Sequence, residues 1–134
     1  MITQSNNIGI KKNDHKCMND LGKLYYRQTD NNNAIKYWKM GAEEGNMGCV
    51  YNLGVIYNEL KNINDAIKYL KMGVDKDNLL CIHGLGTVYY EQKNYDKSIE
   101  YLKMGTDKKD TECTHKLGVV YYTQKNTDEA IKYF

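Results

Sequence analysis

Apolar residues recur along this chain at the spacing of an α-helix. In residues 46–77 one apolar set precedes a second, and each set falls on a single helical face. The first set comprises Cys49, Val50, Leu53, Ile56, Tyr57 and Leu60, and the second comprises Ala66, Ile67, Tyr69, Leu70 and Val74. This pattern predicts two helices within one stretch of the sequence.

Polar residues that favour helix starts separate the apolar sets. Asp and Asn are strong N-cap residues because a side-chain oxygen accepts a hydrogen bond from a backbone N–H in the first turn. Two columns contain only these residues: Asp14, Asn46, Asn78 and Asp110, and then Asp30, Asn62, Asn94 and Asn126. The columns predict short loops of about three to four residues, which favour antiparallel neighbouring helices.

The whole pattern returns every 32 residues. Cysteine marks the period, at Cys17, Cys49, Cys81 and Cys113. Leu-Gly pairs repeat on the same spacing, as at Leu53-Gly54. The sequence therefore predicts an array of helix pairs. Its predicted units are 14–45, 46–77, 78–109 and a truncated 110–134, preceded by a partial repeat over 1–13 that retains a degenerate second helix.

The repeated residues resemble a known family. Leu53, Gly54, Tyr57, Ala66 and Leu70 resemble the tetratricopeptide repeat, although the period is shorter than the ~34 residues typical of that family. The run from residue 38 to residue 54 is more similar to the related Sel1-like repeat. The resemblance implies an all-α fold, a right-handed α-solenoid of antiparallel helix pairs. It also implies a scaffold that binds a protein or a peptide, without identifying the ligand.

Charge and hydrophobicity exclude other classes. The 134 residues carry a formal net charge of only +2, whereas nucleic-acid binders usually have a strongly basic face. No apolar run approaches the ~18–20 residues that span a bilayer, and the N-terminus does not resemble a signal peptide. We therefore expect neither a nucleic-acid partner nor a membrane partner.

The four cysteines and three histidines raise the question of chemistry. Equivalent positions in successive helix pairs are about 10 Å apart or more, too far for a disulfide, which needs Cα atoms within roughly 7 Å. The sequence contains no Cys-x-x-Cys motif for zinc. Small buried thiols are expected instead, as is a reducing, cytoplasmic location. Because His83 and His115 are one repeat apart, we expect no catalytic site, metal or cofactor.

One face of each first helix varies between repeats while the packing columns stay constant. If the tetratricopeptide register holds, this face lines a concave groove, and its Tyr and His side chains suit peptide contacts. An alternative is drift on an exposed surface. The predicted groove columns are Asn19, Tyr51, His83 and His115; Lys23, Val55, Thr87 and Val119; Tyr26, Asn58, Tyr90 and Tyr122; and Arg27, Glu59, Glu91 and Thr123.

The ends of the sequence suggest a second hypothesis. Phe134 aligns with Trp38, Leu70 and Leu102, so the last helix stops short, and neither end carries the polar cap usual in solenoids. A truncated chain explains this. Head-to-tail self-association of a structural, self-assembling repeat protein also does.

Overall fold

A computed structural model describes residues 15–134, which form a row of antiparallel helices. The partial repeat predicted over 1–13, and the cap predicted at Asp14, lie outside the described residues. The helices are α1 (His15–Arg27), α2 (Asn31–Glu43), α3 (Met47–Glu59), α4 (Ile63–Asp75), α5 (Leu79–Glu91), α6 (Tyr95–Asp107), α7 (Thr111–Thr123) and α8 (Thr127–Tyr133). No helix among these residues has both the length and the apolar character needed to cross a membrane.

The predicted Asp and Asn caps precede the helices. At Asn46, Asn78 and Asp110 a side-chain oxygen accepts a hydrogen bond from the backbone N–H three residues later, at 2.9 to 3.0 Å. Asp30, Asn94 and Asn126 cap their helices in the same way. Asn62 occupies the cap position of α4 without this bond, and its amide donates to Asp65 instead.

All seven turns between the described helices share one backbone geometry. In each, a residue with positive φ precedes the cap residue. The N–H of the cap residue then reaches back to a carbonyl five residues earlier, as from Asn94 to Tyr89 at 2.9 Å, which satisfies a carbonyl at the helix end. The left-handed residues are Thr29, Gly45, Lys61, Asp77, Lys93, Lys109 and Lys125.

Glycine allows close approach of the two helices within a pair. A Cβ added at Gly86 would lie 2.6 Å from Cδ2 of Leu102, and one at Gly118 would lie 2.8 Å from Cε1 of Phe134. Gly54 meets Leu70 in the same way. These mid-helix glycines cost helix propensity, which the packing of a large side chain over the bare backbone offsets.

Cysteine packs against glycine where one pair meets the next. The Sγ of Cys49, Cys81 and Cys113 covers the bare Cα of Gly41, Gly73 and Gly105, respectively. Whereas Cys17 is only half-buried, these three thiols are free and fully buried, as predicted. Burial raises the pKa of each thiol from 9.0 to about 12, so they stay protonated and unreactive at neutral pH.

Stacked tyrosines join the two helices of every pair. The ring centroids are 5.4 to 5.7 Å apart, and the rings are within 13° of parallel. Offset aromatic pairs of this kind add stability beyond their buried area. The pairs are Tyr25–Tyr37, Tyr57–Tyr69, Tyr89–Tyr101 and Tyr121–Tyr133.

The first helices form the inner layer of the array. Within residues 15–134, α1, α3, α5 and α7 contact one another in succession more extensively than the second helices do. A row of helix pairs whose first helices lie closer together curves toward those helices. We therefore expect the face of α1, α3, α5 and α7 that points away from the second helices to be the concave one.

Candidate functional site

The groove face, defined as the sixteen residues predicted to line the concave surface, lies on α1, α3, α5 and α7. None of these residues is buried. Tyr122 is the most exposed of the groove tyrosines, at 67%. Half-buried positions, such as Val55 and Thr87, alternate with exposed ones, such as Lys23 and Glu91. The face thus combines accessible polar groups with a partly covered apolar base.

Side chains of the groove face form hydrogen bonds from each first helix to the next. The hydroxyl of Tyr26 donates to the carboxylate of Glu59 at 2.8 and 2.9 Å. At the next junction the amide of Asn58 donates to Glu91, with a shorter distance of 3.2 Å. At the last junction the hydroxyls of Tyr90 and Thr123 are 3.0 Å apart. Two of the variable columns therefore contact each other across each junction, with different residues each time.

Seven of the predicted residues come together in one pocket between α3 and α5. This central pocket has a volume of about 360 Å³. The seven are Tyr51, Val55, Asn58, Glu59, His83, Thr87 and Glu91. The remaining lining residues are Gly54, Lys61, Leu70, Gly84 and Val88.

Two small residues explain why the pocket lies at this junction. Asn58 stands in a column whose other members are tyrosines, and Gly84 stands where the other repeats carry Asp20, Asn52 and Lys116. At the first junction the ring of Tyr26 packs against that of Trp38, with the ring centroids 5.9 Å apart. At the last junction the amino group of Lys116 lies 4.2 Å from the centre of the Tyr90 ring. At the central junction, neither a tyrosine ring nor a long side chain such as that of Lys116 occupies the corresponding space.

The other predicted residues lie outside the central pocket. Asn52 donates to the side-chain oxygen of Asn19 at 2.9 Å, and this bond occupies Asn19 at the first junction. His115 lies beside Phe134, with ring centroids 5.7 Å apart. The predicted residues outside the pocket are Asn19, Lys23, Tyr26, Arg27, Tyr90, His115, Val119, Tyr122 and Thr123.

The charges around the central pocket are mainly negative. Glu59 and Glu91 lie at its edge with one cation, Lys61. Burial, with a smaller contribution from Lys116, lowers the pKa of His83 against the opposing effect of Glu112 and Asp110. His83 is therefore neutral at pH 7, and the lining carries a net negative charge.

Sequence reasoning missed five residues of the pocket. Gly54 and Leu70 belong to the predicted packing positions, and Val88 aligns with Ile56 of the predicted apolar face, yet all three form part of the lining. Gly84 carried a signal, because it breaks its column with a residue that has no side chain. No such signal marks Lys61, because it lies in the turn between α3 and α4, outside the helix columns. Among residues 15–134, no group of three His, Cys, Asp or Glu side chains could hold a metal ion.

Comparison with known families identifies the repeat. Three stretches, 49–73, 81–103 and 112–134, match the sequence pattern of the Tetratricopeptide repeat and together cover more than half of the chain. The chain belongs to the tetratricopeptide repeat family. The predicted all-α solenoid is thereby confirmed, and the tetratricopeptide fold makes the chain a helical-repeat scaffold for protein interactions.

Solved structures share this tetratricopeptide architecture. MamA superposes with a TM-score of 0.78 at 23% identity, over 99% of this chain and 80% of MamA. PilF from Pseudomonas aeruginosa gives 0.79 at 15% identity, over 98% of this chain and 62% of its own. A Sel1 repeat protein from Oxalobacter formigenes gives a TM-score of 0.70 at 19% identity, over 98% of this chain and 65% of that protein. None of the curated proteins matches the sequence.

Proposed function

We propose that this tetratricopeptide repeat chain binds a peptide or an extended protein segment along its groove face. The observation that carries the proposal is the convergence of seven predicted residues on the central pocket. Peptide sites combine an apolar base that excludes water with a few polar groups that fix orientation. Leu70 and Val55 supply the base, while Glu91 and Asn58 supply polar groups.

The hydrogen bonds between successive first helices also support this proposal. They hold side chains such as Tyr26 and Tyr90 in defined positions before any partner arrives. A binding surface that is already ordered loses less conformational entropy when it binds. The groove face is therefore suited to a segment that lies across several repeats.

The experiment begins with peptides selected from a phage-displayed random library against the whole chain. Affinity is then measured by isothermal titration calorimetry for the wild type and for the double variant Lys23→Ala, Tyr122→Ala. Both residues are exposed, so their removal leaves the core intact. Tyr90 is avoided because it is half-buried and contacts Thr123. We expect the double variant to bind at least about tenfold more weakly.

Met72→Ala provides the matched control. Met72 is 40% exposed on α4, a second helix outside the groove face. Its replacement should leave affinity for the selected peptides unchanged. Peptides that bind the double variant as well as the wild type would show that recognition does not extend along the groove face to Lys23 and Tyr122, which contradicts binding across several repeats.

Light scattering over a range of concentrations distinguishes the second hypothesis. Self-association predicts a molar mass that rises with concentration, whereas a scaffold for other proteins stays at the monomer mass. A salt-sensitive complex with an oligonucleotide would point instead to phosphate contacts. These two measurements separate the alternatives without knowledge of the natural partner.

A further inference from the structure

We propose that the central pocket takes a tyrosine side chain from a partner peptide, next to a basic residue of that peptide. This proposal rests on peptide binding by the groove face and adds the chemistry of the partner. The pocket lies between α3 and α5, where the array lacks the aromatic ring present at the two flanking junctions.

The shape of the pocket points to an aromatic ring. Repeats one and three place a tyrosine in this column, while Asn58 leaves the corresponding space open. Its volume, about 360 Å³, is near the lower end of the roughly 300–1,000 Å³ found for ligand pockets. One large side chain suits such a space better than an extended ligand does.

The base and walls of the pocket suit a phenol. Leu70, Val55 and Val88 supply apolar surface, and the ring of Tyr51 lies at the wall. A Cβ at Gly84 would be 3.1 Å from Cδ2 of Leu70 and 3.4 Å from Cε1 of Tyr51. The glycine therefore keeps the approach to Leu70 open, which any side chain here would narrow.

The polar groups favour a hydroxyl and a cation. At the first junction Glu59 accepts hydrogen bonds from the hydroxyl of Tyr26, and Glu91 is its equivalent at the central pocket. A partner tyrosine in the place of the missing ring would bring its hydroxyl to Glu91. Glu59 and Glu91 outnumber Lys61 at the edge, so a neighbouring Lys or Arg of the partner finds a net negative charge.

The residues that line the pocket also leave one buried polar group without a hydrogen bond. The hydroxyl of Thr87 is buried in its wall and makes no hydrogen bond with any group of residues 15–134. Buried polar groups in folded proteins nearly always have a partner. An unsatisfied hydroxyl beside an open apolar space is consistent with a junction that a ligand completes.

Nuclear magnetic resonance titration of the whole chain tests the proposal with defined probes. The main probe is the peptide acetyl-Gly-Lys-Tyr-Lys-Gly-amide. We expect saturable shifts of the amides of Tyr51, His83, Gly84 and Thr87, with a dissociation constant on the order of 1 mM. Replacing the Tyr of the peptide by Ala should weaken binding at least about tenfold. Replacing both Lys by Glu should weaken it by about threefold or more.

Two variants fill the pocket and one serves as a control. Asn58→Tyr supplies the ring that the flanking junctions already have, and Gly84→Asn supplies the side chain of the preceding repeat. Both should abolish the saturable shifts, and the second keeps the test valid if the first fails to fold. Asn64→Tyr makes the same substitution as the first at an exposed position of α4 and should bind as the wild type does.

Several outcomes would overturn the pocket proposal. They are no saturable shift with the wild type, equal binding of the Ala peptide, or unchanged binding in both filled variants. These failures leave the groove proposal standing if Lys23→Ala, Tyr122→Ala still weakens the selected peptides. The groove proposal fails separately if that double variant has no effect.

Discussion

Ser98 donates a hydrogen bond from its Oγ to the backbone carbonyl oxygen of Gly86, with 2.7 Å between the two atoms. Ser98 is fully buried in α6, at the position where the other repeats carry Ala34, Ala66 and Ala130. The bond runs from the second helix of the pair to the middle of the first. A buried hydroxyl is thereby accommodated in a column that otherwise needs only a small apolar side chain.

Ser98→Ala should change the free energy of unfolding by less than about 1 kcal/mol. The substitution removes a buried hydrogen bond, but it also removes the need to bury a hydroxyl, and alanine favours the helix. Urea denaturation followed by circular dichroism measures the difference. Ala66→Ser is the reverse experiment, with the carbonyl of Gly54 as the expected acceptor. A loss above about 3 kcal/mol for Ser98→Ala would mean that the bond is essential.

Gly86→Ala should destabilise the chain by about 1–3 kcal/mol, although alanine is the better helix former. The added Cβ would lie 2.6 Å from Leu102, which is fully buried and cannot withdraw. Denaturation of the single variant checks the sign. In a Leu102→Ala background the same glycine substitution should cost nothing or stabilise, and an unchanged cost there would contradict the packing explanation.

Lys93→Gly should stabilise the chain by about 0.5–1 kcal/mol. Lys93 adopts a φ of 61°, a left-handed conformation that costs a residue with a Cβ roughly 1–2 kcal/mol and costs glycine little. The greater freedom of glycine in the unfolded chain offsets part of the gain. Gly45→Lys, at a turn between two pairs that also has a positive φ, should destabilise, and thermal melts of the two variants should shift in opposite directions.

Alkaline pH should weaken the fold through the buried thiols. Burial raises the pKa of Cys49, Cys81 and Cys113 from 9.0 to about 12. The folded state therefore retains protons that the unfolded state loses above about pH 9. Stability is full below that pH and declines toward pH 12, by up to about 1.4 kcal/mol per pH unit for each thiol.

Urea denaturation at several pH values between 8 and about 11 measures this dependence. Tyrosine and lysine also ionise in this range, so the comparison needs a variant in which all three cysteines are alanine. Its stability should decline less steeply than that of the wild type. Parallel curves would assign the alkaline loss to the other groups.

Most of the fold follows from the sequence because packing imposes the same residues on each repeat. Gly54 must face Leu70 and Cys81 must face Gly73, and such requirements recur as visible columns. The turns are harder to predict from the sequence. Glycine at position 45 suggests a left-handed conformation, but Lys61 and Lys93 adopt the same conformation and nothing in their residue type indicates it. The backbone hydrogen bonds and caps of the helix ends impose that conformation, whatever the side chain.

The central pocket could be foreseen only in part. The groove columns include seven of its residues, but Asn58 and Gly84 belong to different repeats and different columns. Together they open the pocket only because α5 is offset relative to α3, and a single sequence does not reveal the size of that offset. The contacts of Asn58 with Glu91, rather than with the aligned Tyr90, report that offset.

The uniform backbone of the turns has a consequence for the mechanics of the array. Because the seven turns of the described chain share one backbone geometry, differences in resistance to bending depend on how completely side chains fill each junction. The junction that holds Asn58 and Gly84 is less filled than its two neighbours. The solenoid should flex there first under load, and a ring seated between α3 and α5 would stiffen that junction.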